Sequence, residues 1–208
     1  MIKSNLGSCR NEPIWLWYSI LLVLALSGIN PQADRLTWFL ETFPVMIGLA
    51  LLACTWRRFP LTRLANRLIA LHALILILGG YYTYAEVPLF NYLRDSLELS
   101  RNHYDRVGHF MQGFAPAIIA REILIRRSPL RGGWLFFLTL CFCLALSAFY
   151  ELIEWWVALI SEQAADDFLG TQGDHWDTQT DMLMALIGAI CSLTLLGRMH
   201  DRELARFD

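Results

Sequence analysis

The sequence has a single lysine, Lys3, and its other sixteen basic residues are arginines. Seventeen basic residues against nineteen acidic ones leave a net charge of −2, so the chain lacks the positive charge needed to hold nucleic acid. Only 17% of the 208 residues are charged, whereas 56% are hydrophobic. This composition, with a mean hydropathy of +0.41, excludes a disordered chain and is typical of a membrane protein.

The common catalytic signatures are also missing. The sequence contains no Gly-x-x-x-x-Gly-Lys phosphate loop, no His-Glu-x-x-His zinc motif and no Gly-x-Ser-x-Gly nucleophile turn. These absences leave open whether the chain is an enzyme. The candidate functional residues are therefore sought among the polar residues of the predicted membrane helices.

Six stretches have about the length needed to cross the bilayer, which takes about 20 helical residues for about 30 Å of hydrocarbon. They cover residues 13–29, 38–56, 68–86, 105–125, 133–160 and 182–197. The segment 105–125 is the most polar of them, and hydropathy alone would favour a surface or re-entrant position for it. Because no linker divides the chain, the sequence predicts one all-α domain, residues 1–208.

The arginines decide whether segment 105–125 crosses, because cytoplasmic loops collect basic residues. If it crosses and the N-terminus is inside, thirteen basic residues are cytoplasmic and four are outside: Arg35, Arg94, Arg101 and Arg106. If it does not cross, six are inside and eleven outside. The distribution therefore predicts six transmembrane helices, with both termini in the cytoplasm.

Two further features agree with this topology. The five cysteines all fall in predicted cytoplasmic or membrane segments, so no disulfide is expected: Cys9, Cys54, Cys141, Cys143 and Cys191. Lys3 and Arg10, followed by an apolar stretch with Ala25 and Ser27, also resemble a cleavable signal peptide. Cleavage of the first helix is an alternative that the sequence leaves open.

Acidic residues and a histidine gather at the predicted outer ends of the later spans. Asp105 and His109 are four residues apart on one helix face, and Glu151 and Glu154 are three apart on another. Ionisable groups at membrane depth usually face a bundle interior and are candidates for function. We therefore take His109 as a candidate catalytic proton donor or acceptor, oriented by Asp105, with Glu151 and Glu154 as further candidate catalytic residues.

The predicted exterior loop, residues 161–180, is acidic and contains no lysine or arginine. Asp174, Asp177 and Asp181 are spaced three and four apart, as in sites that hold Mg²⁺ through oxygen ligands. They are candidate metal ligands, and a divalent cation is the one candidate cofactor. Two alternatives stay open: a metal-free site that handles protons or substrate, and an interhelical network that only fixes helix orientation.

Three stretches resemble the YjdF-like inner-membrane proteins of bacteria: YDRVGHF at 104–110, YELIEWW at 150–156 and FLGTQGDHWDTQTDMLMALIGA at 168–189. The resemblance covers most of the chain and implies a polytopic inner-membrane protein, without implying a reaction. A weaker similarity to VanZ-like membrane proteins matches Asp105-Arg106 with His109, Glu151 with Glu154, and Asp181 with Gly188. It implies a role that faces the cell envelope.

Three functions follow as hypotheses. The preferred one is a polar pocket at the periplasmic face, built from the last three helices, that recognises an envelope lipid head group or small amphiphile. The second is a small proton-coupled transporter, and the third is a non-catalytic assembly or scaffold protein. Membrane lipids are the expected partners, and the sequence does not fix the oligomeric state.

Overall fold

The computed structural model describes residues 5–160 and 171–205, and within these ranges every regular element is helical. The α-helices are α1 (Asn5–Ser27), α2 (Arg35–Thr55), α3 (Arg63–Tyr82), α4 (Pro88–Ser96), α5 (Tyr104–Arg127), α6 (Gly132–Ile160) and α7 (Asp177–Leu204). A short 3-10 helix, Tyr84–Glu86, lies between α3 and α4. The predicted all-α class is confirmed for the described residues.

Polar caps fix the starts of α2 and α3. The Asp34 carboxylate accepts hydrogen bonds from the backbone N–H groups of Leu36 at 2.8 Å and Thr37 at 3.1 Å. The Thr62 hydroxyl accepts one from the N–H of Ala65 at 3.3 Å. Caps of this kind satisfy donors that have no partner within the helix. The Thr37 hydroxyl and the two N–H groups lower the pKa of Asp34, which lies just outside α2.

The predicted span 68–86 extends too far at its C-terminal end. The helix stops before Thr83, which takes a positive φ of 66°, and the chain turns into the 3-10 helix. This turn places the ring of Tyr84 against Gly79 and Gly108, where a Cβ atom would collide with the ring. The short helix α4, which follows, was not predicted because its nine residues fall within a polar connecting segment.

Among the described residues, four helices are long and apolar enough to cross a membrane, α2, α3, α6 and α7, and α1 contains a shorter apolar stretch, Glu12–Ser27. Their outward side chains are largely apolar, and Trp134, Phe137 and Leu195 are each more than half exposed. An apolar surface of this extent is unfavourable in water and is accommodated by lipid. The number of apolar helices therefore fits a membrane protein. Helix α5 is long enough to cross a membrane but too polar to be counted with them.

The polar helix α5 lies at the centre of the bundle. It packs most extensively against α7 and also against α6 and α3. Half of its 24 residues are buried, and these include Asp105, Arg106, His109 and Glu122. Because the neighbouring helices cover its polar side chains, α5 needs no apolar surface of its own.

Two glycines bring the backbones of α5 and α7 into contact. Gly113 of α5 lies against the backbone carbonyl of Ala185, and Gly188 of α7 lies against that of Phe110. A Cβ atom at either glycine would overlap the facing carbonyl oxygen. Small residues commonly allow such close approach between membrane helices.

A buried glutamate joins three helices at the opposite end of α5. Glu122 accepts hydrogen bonds from the backbone N–H of Thr62 at 3.1 Å, from its hydroxyl at 2.7 Å and from Arg126 at 2.7 Å. The Nε2 of His200 lies 3.2 Å from the same carboxylate, while its Nδ1 lies 2.9 Å from the Arg121 guanidinium. The carboxylate therefore ties the start of α3 and the end of α7 to α5.

These contacts define two ends of the bundle. We call the end with Asp105, Glu151 and Asp177 the acidic end, and the end with Glu122 and His200 the arginine end. Ion pairs near both ends of α5 and α7 show that these two helices run parallel. Helix α6 runs antiparallel to them because its residue Glu151 lies near the start of α5.

Candidate functional site

Two buried arginines organise the acidic end. Arg106 of α5 donates hydrogen bonds to Asp177 at 2.8 Å, to Asp174 at 3.0 Å and to Asp181. Arg101, in the loop before α5, donates to Asp177 at 2.5 Å and lies 3.5 Å from Asp174. Charge-assisted hydrogen bonds therefore bind the start of α7 and the loop before it to α5.

The three aspartates predicted as metal ligands thus face guanidinium groups. Asp174, which precedes α7, also accepts a hydrogen bond from the backbone N–H of Trp176 at 2.9 Å. This bond, together with the neighbouring arginines, lowers the pKa of Asp174. Arg101 and Arg106 supply positive charge where the sequence suggested a divalent cation. Two other acids of the predicted loop lie outside the described residues: Asp166 and Asp167.

His109 lies between carboxyl groups from three helices. One of these groups is Asp105, which shares a helix face with His109 as their four-residue spacing predicts. Its Nε2 atom is 3.4 Å from an oxygen of Asp105 and 4.0 Å from one of Asp181. Its Nδ1 atom is 3.0 Å from Oε1 of Gln112 and 3.6 Å from Oε1 of Glu151. The ring is buried, so both nitrogens depend on these protein groups for partners.

A cavity of about 130 Å³ adjoins His109, and it is large enough for several water molecules. Helices α2, α3, α5 and α6 contribute to its wall. The polar lining includes Glu41, His72, Asp105, His109 and Glu154. Apolar and aromatic side chains complete it: Pro44, Leu76, Tyr84, Leu146, Pro116 and Tyr150.

The cavity differs from the pocket expected from the sequence, which used only the last three helices. Glu41 of α2 and His72 of α3 also line it, and the sequence analysis did not assign either to the site. A carboxylate within an apolar span could have drawn attention to Glu41. Glu151 lies beside His109 but does not line the cavity, whereas Glu154 does.

The acidic end contains more buried acids than buried bases among the described residues. Six carboxyl groups are buried there: Glu41, Asp105, Glu151, Glu154, Asp177 and Asp181. The buried basic side chains at this end are Arg101, Arg106 and His109. Carboxylates cannot remain charged close together in a low dielectric without compensation. The arrangement can therefore take up protons, a metal cation or a cationic ligand.

Comparison with known proteins agrees with this architecture. Residues 13–202 match a family described as "Predicted membrane protein (DUF2238)". The chain belongs to this family. It is also 54% identical over 190 residues to a protein named "Inner membrane protein YjdF" from Escherichia coli (strain K12), which covers 91% of this chain and 90% of that protein. No solved structure matches the chain.

Membership of the DUF2238 family and the identity to the E. coli protein confirm the resemblance to YjdF-like proteins predicted from three stretches of the sequence. The match runs from residue 13 in α1 to residue 202, two residues before the end of α7. The protein is an integral membrane protein, and the name of its E. coli relative agrees with the expected inner-membrane location.

Proposed function

We propose that the protein crosses the inner membrane six times and binds the polar head of an amphiphile in the cavity beside His109. The acidic end faces the periplasm in this proposal, and the arginine end faces the cytoplasm. His109 and the carboxyl groups of Asp105, Glu41 and Glu154 form the binding wall. The buried surplus of carboxyl groups, next to a cavity, is the observation that carries the proposal.

The direction of the helices supports six spans. Helix α7 is apolar and long enough to cross, and α5 lies parallel to it with ion pairs near both ends. A helix that accompanies a spanning helix over its whole length reaches the same two membrane surfaces. The 24 residues of α5 extend about 36 Å at about 1.5 Å per residue, which exceeds about 30 Å of hydrocarbon.

The distribution of arginines supports the orientation. In the described part of the chain, eleven arginines lie toward the arginine end: Arg10, Arg57, Arg58, Arg63, Arg67, Arg121, Arg126, Arg127, Arg131, Arg198 and Arg202. Four lie toward the acidic end, and two of these, Arg101 and Arg106, are paired with buried carboxylates. The excess of arginine marks the cytoplasmic side.

Reporter fusions test this topology. A green fluorescent protein fused after Arg131 is expected to fluoresce, because the α5–α6 loop is cytoplasmic. Alkaline phosphatase fused after Asp95 is expected to be active, because α4 is periplasmic. The reverse fusions serve as controls and should be silent. An active phosphatase after Arg131 would show that α5 does not cross and would overturn the topology.

The chemistry of the cavity favours a head group that carries an ammonium or several hydroxyls. Glu41 is 4% exposed and Glu154 is 9% exposed, and they line the cavity from two different helices, α2 and α6. Groups that donate hydrogen bonds and carry positive charge would compensate both carboxylates. His109, held by Asp105 and Gln112, supplies a further hydrogen-bonding group on the wall.

The position of the cavity favours a ligand that enters from lipid. Helix α2 packs against α3 and α1, whereas α6 packs against α5 and α7. Between them, Pro44 and Leu146 line the cavity, and Leu146 is 37% exposed. Phe43 and Phe149, which precede the lining residues Pro44 and Tyr150 in the chain, are also exposed. An acyl chain could therefore lie against the apolar rim while the head group occupies the polar cavity.

Native mass spectrometry with phosphatidylethanolamine and phosphatidylglycerol tests the proposal. The wild type is expected to bind phosphatidylethanolamine in preference. The double variant Glu41→Gln/Glu154→Gln should lose about tenfold in that preference, since a charged hydrogen bond contributes about 1.5–3 kcal/mol. Asp95→Asn, which changes an exposed carboxylate at the same end, is the control and should not alter binding. Equal retention of both lipids by the wild type would overturn the proposal.

The transporter hypothesis has less support. Transport of protons would need a polar route from the cavity toward Glu122 at the arginine end. Between them the buried residues of α5 are small or apolar: Gly113, Ala115, Ala117, Ile118 and Ala120. The backbone contact of α5 with α7 at Gly113 closes the space between these two helices at that level.

A further inference from the structure

We propose that Asp105, His109 and Asp181 bind one divalent transition-metal ion, with zinc as the best match. The ligand set differs from the predicted Asp174, Asp177 and Asp181. The inference concerns the wall of the same cavity but does not require an amphiphile to bind there. Each of the three side chains offers one ligand atom, and these atoms all lie within 4.8 Å of one another.

The distances suit a small metal ion. Nε2 of His109 lies 3.4 Å from an Asp105 oxygen and 4.0 Å from an Asp181 oxygen. Two ligand atoms at about 2.1 Å from one tetrahedral zinc lie about 3.4 Å apart. The three ligand atoms lie within 4.8 Å of one another, so movement of the Asp181 carboxylate by about an ångström would complete the set. Imidazole combined with carboxylate favours zinc over magnesium or calcium.

The partners of the histidine ring also suit a metal. Nδ1 of His109 lies 3.0 Å from Oε1 of Gln112, which can accept only a proton from the ring. In the neutral ring, that hydrogen bond leaves Nε2 as an electron-pair donor 3.4 Å from an Asp105 oxygen and 4.0 Å from an Asp181 oxygen. A cation compensates these three donors, either a metal ion between them or a proton on Nε2. A metal-bound histidine usually donates its second nitrogen to an acceptor in this way.

Asp105 provides an independent observation. Its side chain is buried, yet Oδ2 has no hydrogen-bond partner among the described residues, and the Arg101 guanidinium lies 3.6 Å away. A buried carboxylate oxygen without a hydrogen bond is unfavourable unless a further ligand satisfies it. The oxygen belongs to the same carboxylate that faces Nε2 of His109, so a metal at that position would satisfy the group.

The local charge supports a divalent ion in particular. Four aspartates meet at this end: Asp105, Asp174, Asp177 and Asp181. Arg101 and Arg106 supply two positive charges among them. Glu151, 3.6 Å from Nδ1 of His109, adds a fifth carboxyl group among the described residues. A divalent cation would offset two of the three excess negative charges, whereas a protonated imidazole would offset one. Compensation matters here because most of these side chains are buried.

Titration of the metal-stripped, purified chain with ZnCl₂ in an isothermal calorimeter tests the site. We expect one zinc per chain for the wild type. His109→Gln and Asp105→Asn should each remove this binding, with thermal unfolding measured in parallel to show that the variants are folded. His175→Ala, which removes an exposed histidine at the same end, should bind like the wild type. Cobalt substitution should give the absorption bands of a tetrahedral site.

A variant outside the ligand set makes the test robust against misfolding. Gln112→Ala removes the acceptor for Nδ1 but keeps all three ligands, and it should weaken zinc binding about 10–100-fold, as loss of such partners usually does. Binding lost in His175→Ala but kept in His109→Gln would show adventitious surface binding and overturn the site, as would no zinc binding by the wild type. The variant Glu41→Gln/Glu154→Gln should bind zinc like the wild type. The zinc result therefore does not depend on the outcome of the lipid-binding test.

Discussion

Replacing Gly113 with alanine is expected to destabilise the bundle severely, and replacing it with valine should prevent folding. A Cβ atom at Gly113 would overlap the backbone carbonyl oxygen of Ala185, far inside the 3.0 Å below which real Cβ contacts are essentially never found. The obstacle is backbone, so no side-chain rotation can relieve it. Overpacking costs typically about 1–3 kcal/mol, and we expect Gly113→Ala to reach the upper part of this range.

Gly48→Ala is the matched control. Gly48 also lies within a spanning helix, α2, but a Cβ atom there would meet nothing within 4 Å. Alanine should therefore leave stability unchanged or raise it by up to about 1 kcal/mol through its helix propensity. Thermal unfolding in detergent, followed by tryptophan fluorescence, measures both variants. Similar midpoints for Gly113→Ala and Gly48→Ala would contradict the close approach of α5 and α7.

The sequence predicts local geometry within one helix well. The four-residue spacing of Asp105 and His109 and the three further residues to Gln112 place these side chains together, as the structure has them. Helical periodicity is sufficient for that inference because it depends on 3.6 residues per turn alone. Helical periodicity does not predict that Glu41 lies near this group, because that depends on how α2, α3 and α5 pack.

The arginines show the same limit. From the sequence, Arg101 and Arg106 are two of the four basic residues predicted outside the membrane, and this placement concerns the topology alone. Their second role, pairing with Asp177 and Asp181, joins residues more than 70 positions apart. No local spacing relates such residues. The metal site proposed from Asp105, His109 and Asp181 depends on this pairing, since Arg106 orients the Asp181 carboxylate.

Arg106→Leu is expected to lower the free energy of unfolding by about 3–5 kcal/mol, the usual cost of removing one partner from a buried ion pair. Arg106 donates to Asp174, Asp177 and Asp181. In its absence Arg101 would remain beside Asp174 and Asp177, and His109 beside Asp181. The start of α7 would then carry uncompensated charge against α5. Thermal unfolding in zinc-free buffer measures the loss, and Arg94→Leu, which breaks an exposed pair, should leave the midpoint unchanged.

The double variant Arg106→Leu/Asp181→Leu shows how much the ion pair contributes to the free energy of unfolding. The single variant measures instead the cost of leaving one buried charge unpaired. Replacing both partners with apolar side chains removes a buried positive and a buried negative charge together, so much of the stability should return. Asp181 is 2% exposed, which gives its leucine replacement a buried environment beside Ala185. A double variant no more stable than Arg106→Leu would mean that the other two aspartates, rather than Asp181, are what Arg106 compensates.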